Sequence, residues 1–309
     1  MTPEELGAEL GMEVHALVRL SGGASRQTWA FEGDGRPLVI QCQRPGGLTT
    51  SSGMDVEGRL VELAGRCGVP VARFVSAGGA DCSLGTSYLV TERVEGETIP
   101  RKLLRDDAFA AVRGRLAFEA GAALAAVHEL PVDEMTGLLA EEDQLSQFRG
   151  LLAGFEEPHP AFELGLRWLE RHRPPSMRRT IVHGDFRNGN LVVGPDGLRA
   201  VLDWELAHIG DPVEDLGWFC VRAWRFGSPQ RAGGFGTVED LLSGYRSHGG
   251  IDIAPDVVRW WEAMGTLRWG VICMVQAATH LGGASRSVEL AAIGRRTAEC
   301  EWDLLELIA

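Results

Sequence analysis

Residues 181–218 constrain this chain more than any other stretch. They read I-V-H-G-D-F-R-N-G-N-L-V-V-G-P-D-G-L-R-A-V-L-D-W-E-L-A-H-I-G-D-P-V-E-D-L-G-W. The runs Leu191–Val192–Val193 and Ala200–Val201–Leu202 are short and rich in β-branched residues, and Gly194-Pro195-Asp196-Gly197 between them is a hairpin turn signal. A hairpin places the start of its first strand beside the end of its second. His183, Asp185, Arg187, Asn188 and Asn190 precede the first strand, and Asp203 and Glu205 follow the second. Asn190 and Asp203 are therefore expected to be neighbours, with Asp185 one loop further out.

That layout is what phosphoryl transfer from a Mg-nucleotide requires. One carboxylate orients the attacking hydroxyl and accepts its proton, while an amide oxygen and a second carboxylate hold Mg2+ between the phosphates. Mg2+ takes hard oxygen ligands, with phosphates and water completing its shell. Asp185 and Asn190 lie five residues apart, the Asp-to-Asn spacing of the protein-kinase catalytic loop.

H-G-D-F-R-N-G-N followed by L-D-W-E-L-A-H-I-G-D-P-V-E-D-L resembles the aminoglycoside phosphotransferase and choline kinase-like family. It is most similar to the branch of kinase-like domains linked to acyl-CoA dehydrogenases. The resemblance implies an α+β, protein-kinase-like two-lobed fold: a small antiparallel β lobe with one helix, residues 1–95, and a large, mainly helical lobe, residues 96–309. It implies Asp185 as the catalytic base, Asn190 and Asp203 as Mg2+ ligands, and His183 and Asp215 as braces of the catalytic loop. For Arg187 two readings stand, stabilising the transferring phosphoryl or pairing with a neighbouring acid.

The acidic balance, net charge -13, argues against nucleic-acid binding, which needs clustered basic residues. Hydrophobic content of 45% supports a sizeable core. No apolar run is long enough to span a bilayer, and the acidic start M-T-P-E-E-L does not read as a signal peptide. The six cysteines lack C-x-x-C spacing, so reduced thiols in a cytoplasmic protein are expected.

Residues 4–18 have helical apolar spacing, and a strand is expected at 27–31. Between them lies a glycine-rich turn, Gly22, Gly23, Ala24 and Ser25. Taken alone it reads as a plain hairpin turn; ahead of the kinase-like hairpin it reads as a phosphate lid, because without a Cβ such a turn lets backbone N–H groups approach phosphates. G-x-G-x-x-G and G-x-x-x-x-G-K are both absent, so neither a Rossmann fingerprint nor a Walker loop is expected. Strand 38–42 carries Gln41 where the family places a phosphate-reaching cation, and Arg44 follows three residues on. Arg44 as substitute cation and Arg44 as solvated loop residue both stand. Helix 54–66 carries Glu57 where the family has the acid that pairs with that cation, and a surface acid on an amphipathic helix is the other reading. Strands are expected at 71–77 and 87–94, the second ending in Y-L-V-T-E-R-V-E-G. This resembles the linker between kinase lobes, implying backbone contacts to adenine at Glu92 and Val94. Lys102 is the single lysine and follows the linker.

The remainder is expected to be helical: 107–129 as one long helix with His128 structural, then 144–152, 164–171, 213–225, 241–248, 255–281 and 287–308. Asp211 is expected as a helix cap. Trp260, Trp261, Met264, Trp269 and Met274 fit a core stripe or an aromatic pocket. The expected activity is transfer of the γ-phosphate of ATP or GTP, with Mg2+, to a small-molecule hydroxyl, a metabolite before an antibiotic. A catalytically dead nucleotide-binding module is the rival, resting on Gln41.

Overall fold

The chain opens with a self-capped turn of helix. Thr2 accepts from the Glu5 N–H (3.2 Å) and Glu5 accepts from the Thr2 N–H (2.7 Å). This capping box starts α1 (Pro3–Leu10), and Gly11, in the left-handed region at φ 65, ends it. Residues 4–18 are thus not one helix, because Val14 onward forms β1 (Val14–Leu20). The structure, a computed structural model, describes residues 1–20, 26–43, 53–141 and 143–309.

Next come β2 (Arg26–Gly33), β3 (Arg36–Gln43), α2 (Met54–Arg66), β4 (Phe74–Gly78) and β5 (Tyr88–Glu92). The five strands form one antiparallel sheet in the order β1-β2-β3-β5-β4. α2 lies against β4 and β5, with Gly58 facing Phe74 and Ala77. This part therefore holds two helices, α1 as well as the expected α2. β5 leads to Glu97, which pairs with Val193 through both backbone bonds (2.9 and 3.0 Å) and ties the sheet to the central hairpin.

The rest is mainly helical: α3 (Pro100–Arg105), α4 (Ala110–Arg113), α5 (Leu116–His128), α6 (Gln144–Ala153) and α7 (Pro160–Arg171). The expected long helix over 107–129 is interrupted at Gly114 and Arg115, where glycine weakens helical propagation. β6 (Thr180–Val182), β7 (Leu191–Gly194), β8 (Gly197–Val201) and β9 (His208–Gly210) follow. β7 and β8 form the expected hairpin, and β6 pairs with β9, a strand the residue pattern did not announce.

Helices α8 (Val213–Cys220), α9 (Val238–Ser247), α10 (Pro255–Leu281), α11 (Val288–Gly294) and α12 (Thr297–Ile308) complete the chain. α8 ends earlier than expected, and a separate 3-10 turn covers Arg222–Arg225. α5 and α9 approach closely because both carry glycine at the crossing. A Cβ on Gly121 would overlap the Leu241 carbonyl, and one on Gly244 the Phe118 carbonyl. Trp260, Met264 and Met274 of α10 are buried with Leu145, Phe162 and Leu304, which makes the stripe core. The six cysteines are free. Among the described residues, no helix is long and apolar enough to cross a membrane.

Candidate active site

The loop between β6 and β7 is held from behind by one buried carboxylate. Asp215, in the first turn of α8, accepts from the His183 N–H (2.7 Å) and the Gly184 N–H (2.9 Å). His128, at the end of α5, approaches it through Nε2 (3.1 Å) and reaches the Tyr245 hydroxyl through Nδ1 (3.0 Å). Burial pushes the Asp215 carboxyl up, but His128, His183 and the donated N–H groups more than offset this and hold it below its usual range. Gly184 sits at φ 78, and a Cβ there would overlap the Leu206 carbonyl, so the loop needs glycine at this point.

The His183 imidazole is fully buried, which drives its pKa down despite the pull of Asp215 and Asp185. Its Nε2 meets the Leu202 carbonyl (3.0 Å), linking the loop to the far end of the hairpin. Both expected braces are thus in bracing positions.

Asp185 projects from this loop with its side chain mostly covered, 13% exposed. Three side chains hold the carboxylate: Arg187 through Nε (3.1 Å), Asn190 through Nδ2 (2.8 Å) and Trp218 of α8 through Nε1 (2.9 Å). Arg187 therefore pairs with the neighbouring acid, and its guanidinium also lies over the Trp224 ring, 5.0 Å from the centroid. Asn188 is buried and donates to the Trp224 (2.6 Å) and Gly233 (2.8 Å) carbonyls. Arg268 of α10 supports Trp218 from its other face, 4.6 Å from the ring centroid, while donating to the Gly184 carbonyl (2.8 Å) and to Glu214 (2.9 Å). Trp218, Trp224 and Arg268 were missed in the sequence. Trp218 lies three residues after Asp215, on the same helix face, and that spacing was the available signal.

Across the hairpin, Asn190 closes a backbone bond to the Leu202 N–H (2.8 Å), immediately before Asp203. Asp203 adopts φ 67, a left-handed conformation that costs a non-glycine residue strain energy and is tolerated best by Asp and Asn. Its side chain remains 31% exposed. Burial, then the nearby Glu205 carboxylate, push its pKa up to about 7, against the opposing pull of Arg26.

Arg26 of β2 supplies the cation in front of the loop. Its guanidinium makes a two-pronged contact with Glu57 (2.9 and 2.6 Å), lies 3.1 Å from Glu205 and 4.0 Å from Asp203, and is almost fully buried. Glu57 attracts the protonated form strongly enough to overcome the cost of burial and raise the arginine pKa. Gln41 lies beside this pair. That residue occupies the expected position on β3, but its amide oxygen accepts from Arg26 (3.3 Å). Arg26 and Gln41 meet because the register pairs Arg26 with Gln43 and Thr28 with Gln41, so all four side chains share one face. Arg44 and the turn Gly22, Gly23, Ala24, Ser25 lie outside the described residues.

At the end of β5, the Glu92 N–H is taken by the Arg73 carbonyl (2.8 Å) and its carboxylate pairs with Arg36 and Arg73. Val94 follows in the segment leading to Glu97. Lys102 is exposed and pairs with Glu97 (2.8 Å), away from the strand position. Asp211 caps the entry to α8 through the Val213 N–H (3.0 Å) and also accepts from the Met177 N–H (2.7 Å).

Comparison with known proteins agrees with this fold. Residues 16–251 match the phosphotransferase enzyme family model. Acyl-CoA dehydrogenase family member 10 of Mus musculus is 26% identical over 320 residues, covering 93% of this chain and 29% of that protein. Family member 11 of Rattus norvegicus is 27% identical over 271 residues, covering 80% of this chain and 34% of that protein. The chain thus spans about a third of the length of these curated relatives. A putative aminoglycoside phosphotransferase from Ralstonia eutropha shares the fold with a TM-score of 0.77 and 21% identity, covering 99% of this chain and 98% of that one. Spectinomycin phosphotransferase, solved with ADP and spectinomycin, superposes with a TM-score of 0.70 at 12% identity, covering 99% of this chain and 97% of that one. With more than half of its length matched by the family model, the chain belongs to the APH phosphotransferase enzyme family.

Proposed function

We propose that this chain is a small-molecule kinase that moves the γ-phosphoryl group of a nucleoside triphosphate to an acceptor hydroxyl. The observation that carries the reading is the facing arrangement of two groups. Asp185 and Asn190 sit on a braced loop, and Asp203 sits opposite, beside the buried Arg26–Glu57 pair. In this reading the nucleotide lies between residues 1–95 and 96–309, with its adenine edge against the backbone at Glu92 and Val94.

The acceptor oxygen attacks the γ-phosphorus and its proton passes to Asp185. The bond from the γ-phosphorus to the β–γ bridging oxygen breaks, and the nucleoside diphosphate leaves with that electron pair. Asn190 and Trp218 hold the Asp185 carboxylate in position through their N–H groups. Arg187, already beside that carboxylate, is placed to meet negative charge developing on the phosphoryl oxygens. Arg26 meets the nucleotide phosphates while Glu57 fixes its direction. Arg26 in that role supports activity over the binding module that the missing strand lysine favoured.

The donor set fits Mg2+. Asp203 is a carboxylate crowded by Glu205, Asp185 and Glu57 with one side open. Asn190 commits its amide N–H to Asp185, which leaves its amide oxygen as a donor. Among the described residues, no cluster of three or more His, Cys, Asp or Glu side chains could hold a metal by itself, so phosphate oxygens would complete the shell. When bound, the ion neutralises charge on the β- and γ-phosphates. Similarity to proteins named as acyl-CoA dehydrogenase family members supports a metabolite over an antibiotic as acceptor.

Calorimetry paired with Mg-dependent nucleotide turnover tests the reading. Asp185→Asn keeps nucleotide affinity and lowers turnover roughly 10²–10⁴-fold, the range for loss of a general base. Arg26→Gln weakens Mg-ATP binding by about 1.5–3 kcal/mol, and Arg26→Lys restores part of it. Wild-type turnover matched by Asp185→Asn would remove the base assignment.

A further inference from the structure

A cleft of about 760 Å³ lies between α3, the Arg222–Arg225 turn with the residues after it, and α12. Arg101, Arg105, Arg222 and Arg296 line it, and Trp302, 64% exposed, stands at its edge. In a chain of net charge -13, a cleft with this many guanidinium groups inverts the prevailing sign. Its acids are already engaged: Asp303 holds Arg222 (2.9 Å) and Glu299 holds Arg296 (3.3 Å). Arg101 and Arg105, one turn apart on α3, are exposed, and neither has a carboxylate partner at ion-pair distance among the described residues.

The cleft adjoins the catalytic loop. Its floor includes Arg222 and Ala223, directly before Trp224, the ring that carries Arg187. Pro100, the first residue of α3, reaches within 3.8 Å of where a Cβ on Gly189 would lie. One wall therefore begins at the loop that presents Asp185, and the arginines extend away from it.

We propose that this cleft is the acceptor site and that the acceptor carries an oxyanion, phosphate or carboxylate, at a distance from its reacting hydroxyl. The inference rests on the phosphotransferase reading and names the substrate class of that same site. Guanidinium groups pair with phosphate and carboxylate through two parallel N–H bonds. The same groups repel ammonium, so a polycationic acceptor is disfavoured at this wall. The anionic end of the substrate anchors on Arg101 and Arg105, and the hydroxyl end reaches Asp185, where the transfer written above takes place.

Calorimetric titrations in saturating Mg-ADP, with the nucleotide site occupied, test this. The probes are butyl phosphate, butyrate, butanol and butylammonium. The anions are expected to bind, more weakly as salt rises, and the alcohol and the ammonium are not. The doubly substituted Arg101→Gln, Arg105→Gln protein, its fold checked by circular dichroism, should bind the anions roughly tenfold or more weakly, the scale of a lost charge-assisted hydrogen bond. Butyl phosphate binding more tightly than butyrate assigns the anchor to phosphate, and the reverse order assigns it to carboxylate. Binding of Mg-ADP without anion binding, or anion binding indifferent to the two substitutions, overturns this inference and leaves the phosphotransferase reading standing. Failure of wild type to bind Mg-ADP overturns that reading, and the acceptor assignment with it.

Discussion

Two carboxylates flank the loop between β6 and β7, and their surroundings differ in kind. Asp215, behind the loop, is fully buried, yet every partner it has is a donor: two backbone N–H groups and His128. Its pKa is held low. Asp203, in front, has an open side and acidic neighbours, with the charge of Arg26 shared among Glu57, Glu205 and itself. Its pKa is pushed up to about 7 by burial and Glu205. The first carboxylate is complete within the protein and fixes a backbone. The second has more negative charge around it than the protein neutralises, which is the condition under which a cationic ligand gains most. Completeness, more than burial, separates an acid that fixes a backbone from one suited to a cationic ligand.

The comparison breaks most visibly at Asp215. Asp215→Asn places an amide N–H where one carboxylate oxygen now accepts, leaving a buried donor facing a donor. The expected loss is about 3–5 kcal/mol, the size seen when one partner of a buried charged network is removed. Urea denaturation of the variant measures it. A loss below 1 kcal/mol, on the scale of a surface substitution, would mean that the brace is dispensable and that the contrast with Asp203 is one of position alone.

Asp203→Asn should move stability the other way. In chelator at pH 8 the substitution removes a charge that Glu205 and Asp185 repel, and Asn tolerates the left-handed backbone. Because the site is partly open to solvent, the gain is screened to about 1 kcal/mol. The same protein should lose Mg-dependent nucleotide affinity. Thermal melts with and without Mg-ATP read both effects. A variant less stable than wild type in chelator would show that the cluster is neutralised without a ligand.

How far the sequence reached differs between the same two regions. The loop and the hairpin were legible because their residues are consecutive or are fixed by one tight turn, as at Gly194–Gly197, while the brace, whose partners lie 32 residues apart, came only from the family resemblance. Arg26 was not, because its role depends on the register between β2 and β3, which places it beside Gln41 on one face. A one-residue slip would have turned it to the other side. Trp218 shares a helix face with Asp215, a spacing signal that went unread, whereas Arg268 reaches the site only through the packing of α8 on α10, a contact that spacing within either helix does not encode. The helix expected over 107–129 and the one over 4–18 failed at glycines, Gly114 and Gly11, where apolar periodicity continued across a backbone break. The arginine cleft draws on separate elements and had no local signature.

The smallest expected effect concerns a second imidazole–carboxylate pair near the loop and tests whether such pairs also act as stabilising charges. His208 of β9 lies against Glu214 (3.2 Å), which itself holds Arg268 (2.9 Å), and Gln144 approaches the same ring nitrogen (3.3 Å). Burial and the Arg268 charge lower the His208 pKa, yet Glu214 outweighs them and the net shift is upward. A histidine whose folded pKa is raised binds its proton more tightly folded than unfolded. Its contribution is complete below the unfolded pKa, near 6.5, and is lost as pH rises through the higher folded value. His208→Gln keeps an N–H that can donate to Glu214, so it should cost only about 0.5–1 kcal/mol at pH 6, the low end of a net hydrogen bond, and measurably less at pH 9. Denaturant midpoints at the two pH values, compared with wild type, give the difference directly. An equal cost at both would mean that His208 stays neutral and that Glu214 is balanced by Arg268 alone, which would make it, like Asp215, an acid completed by donors within the fold.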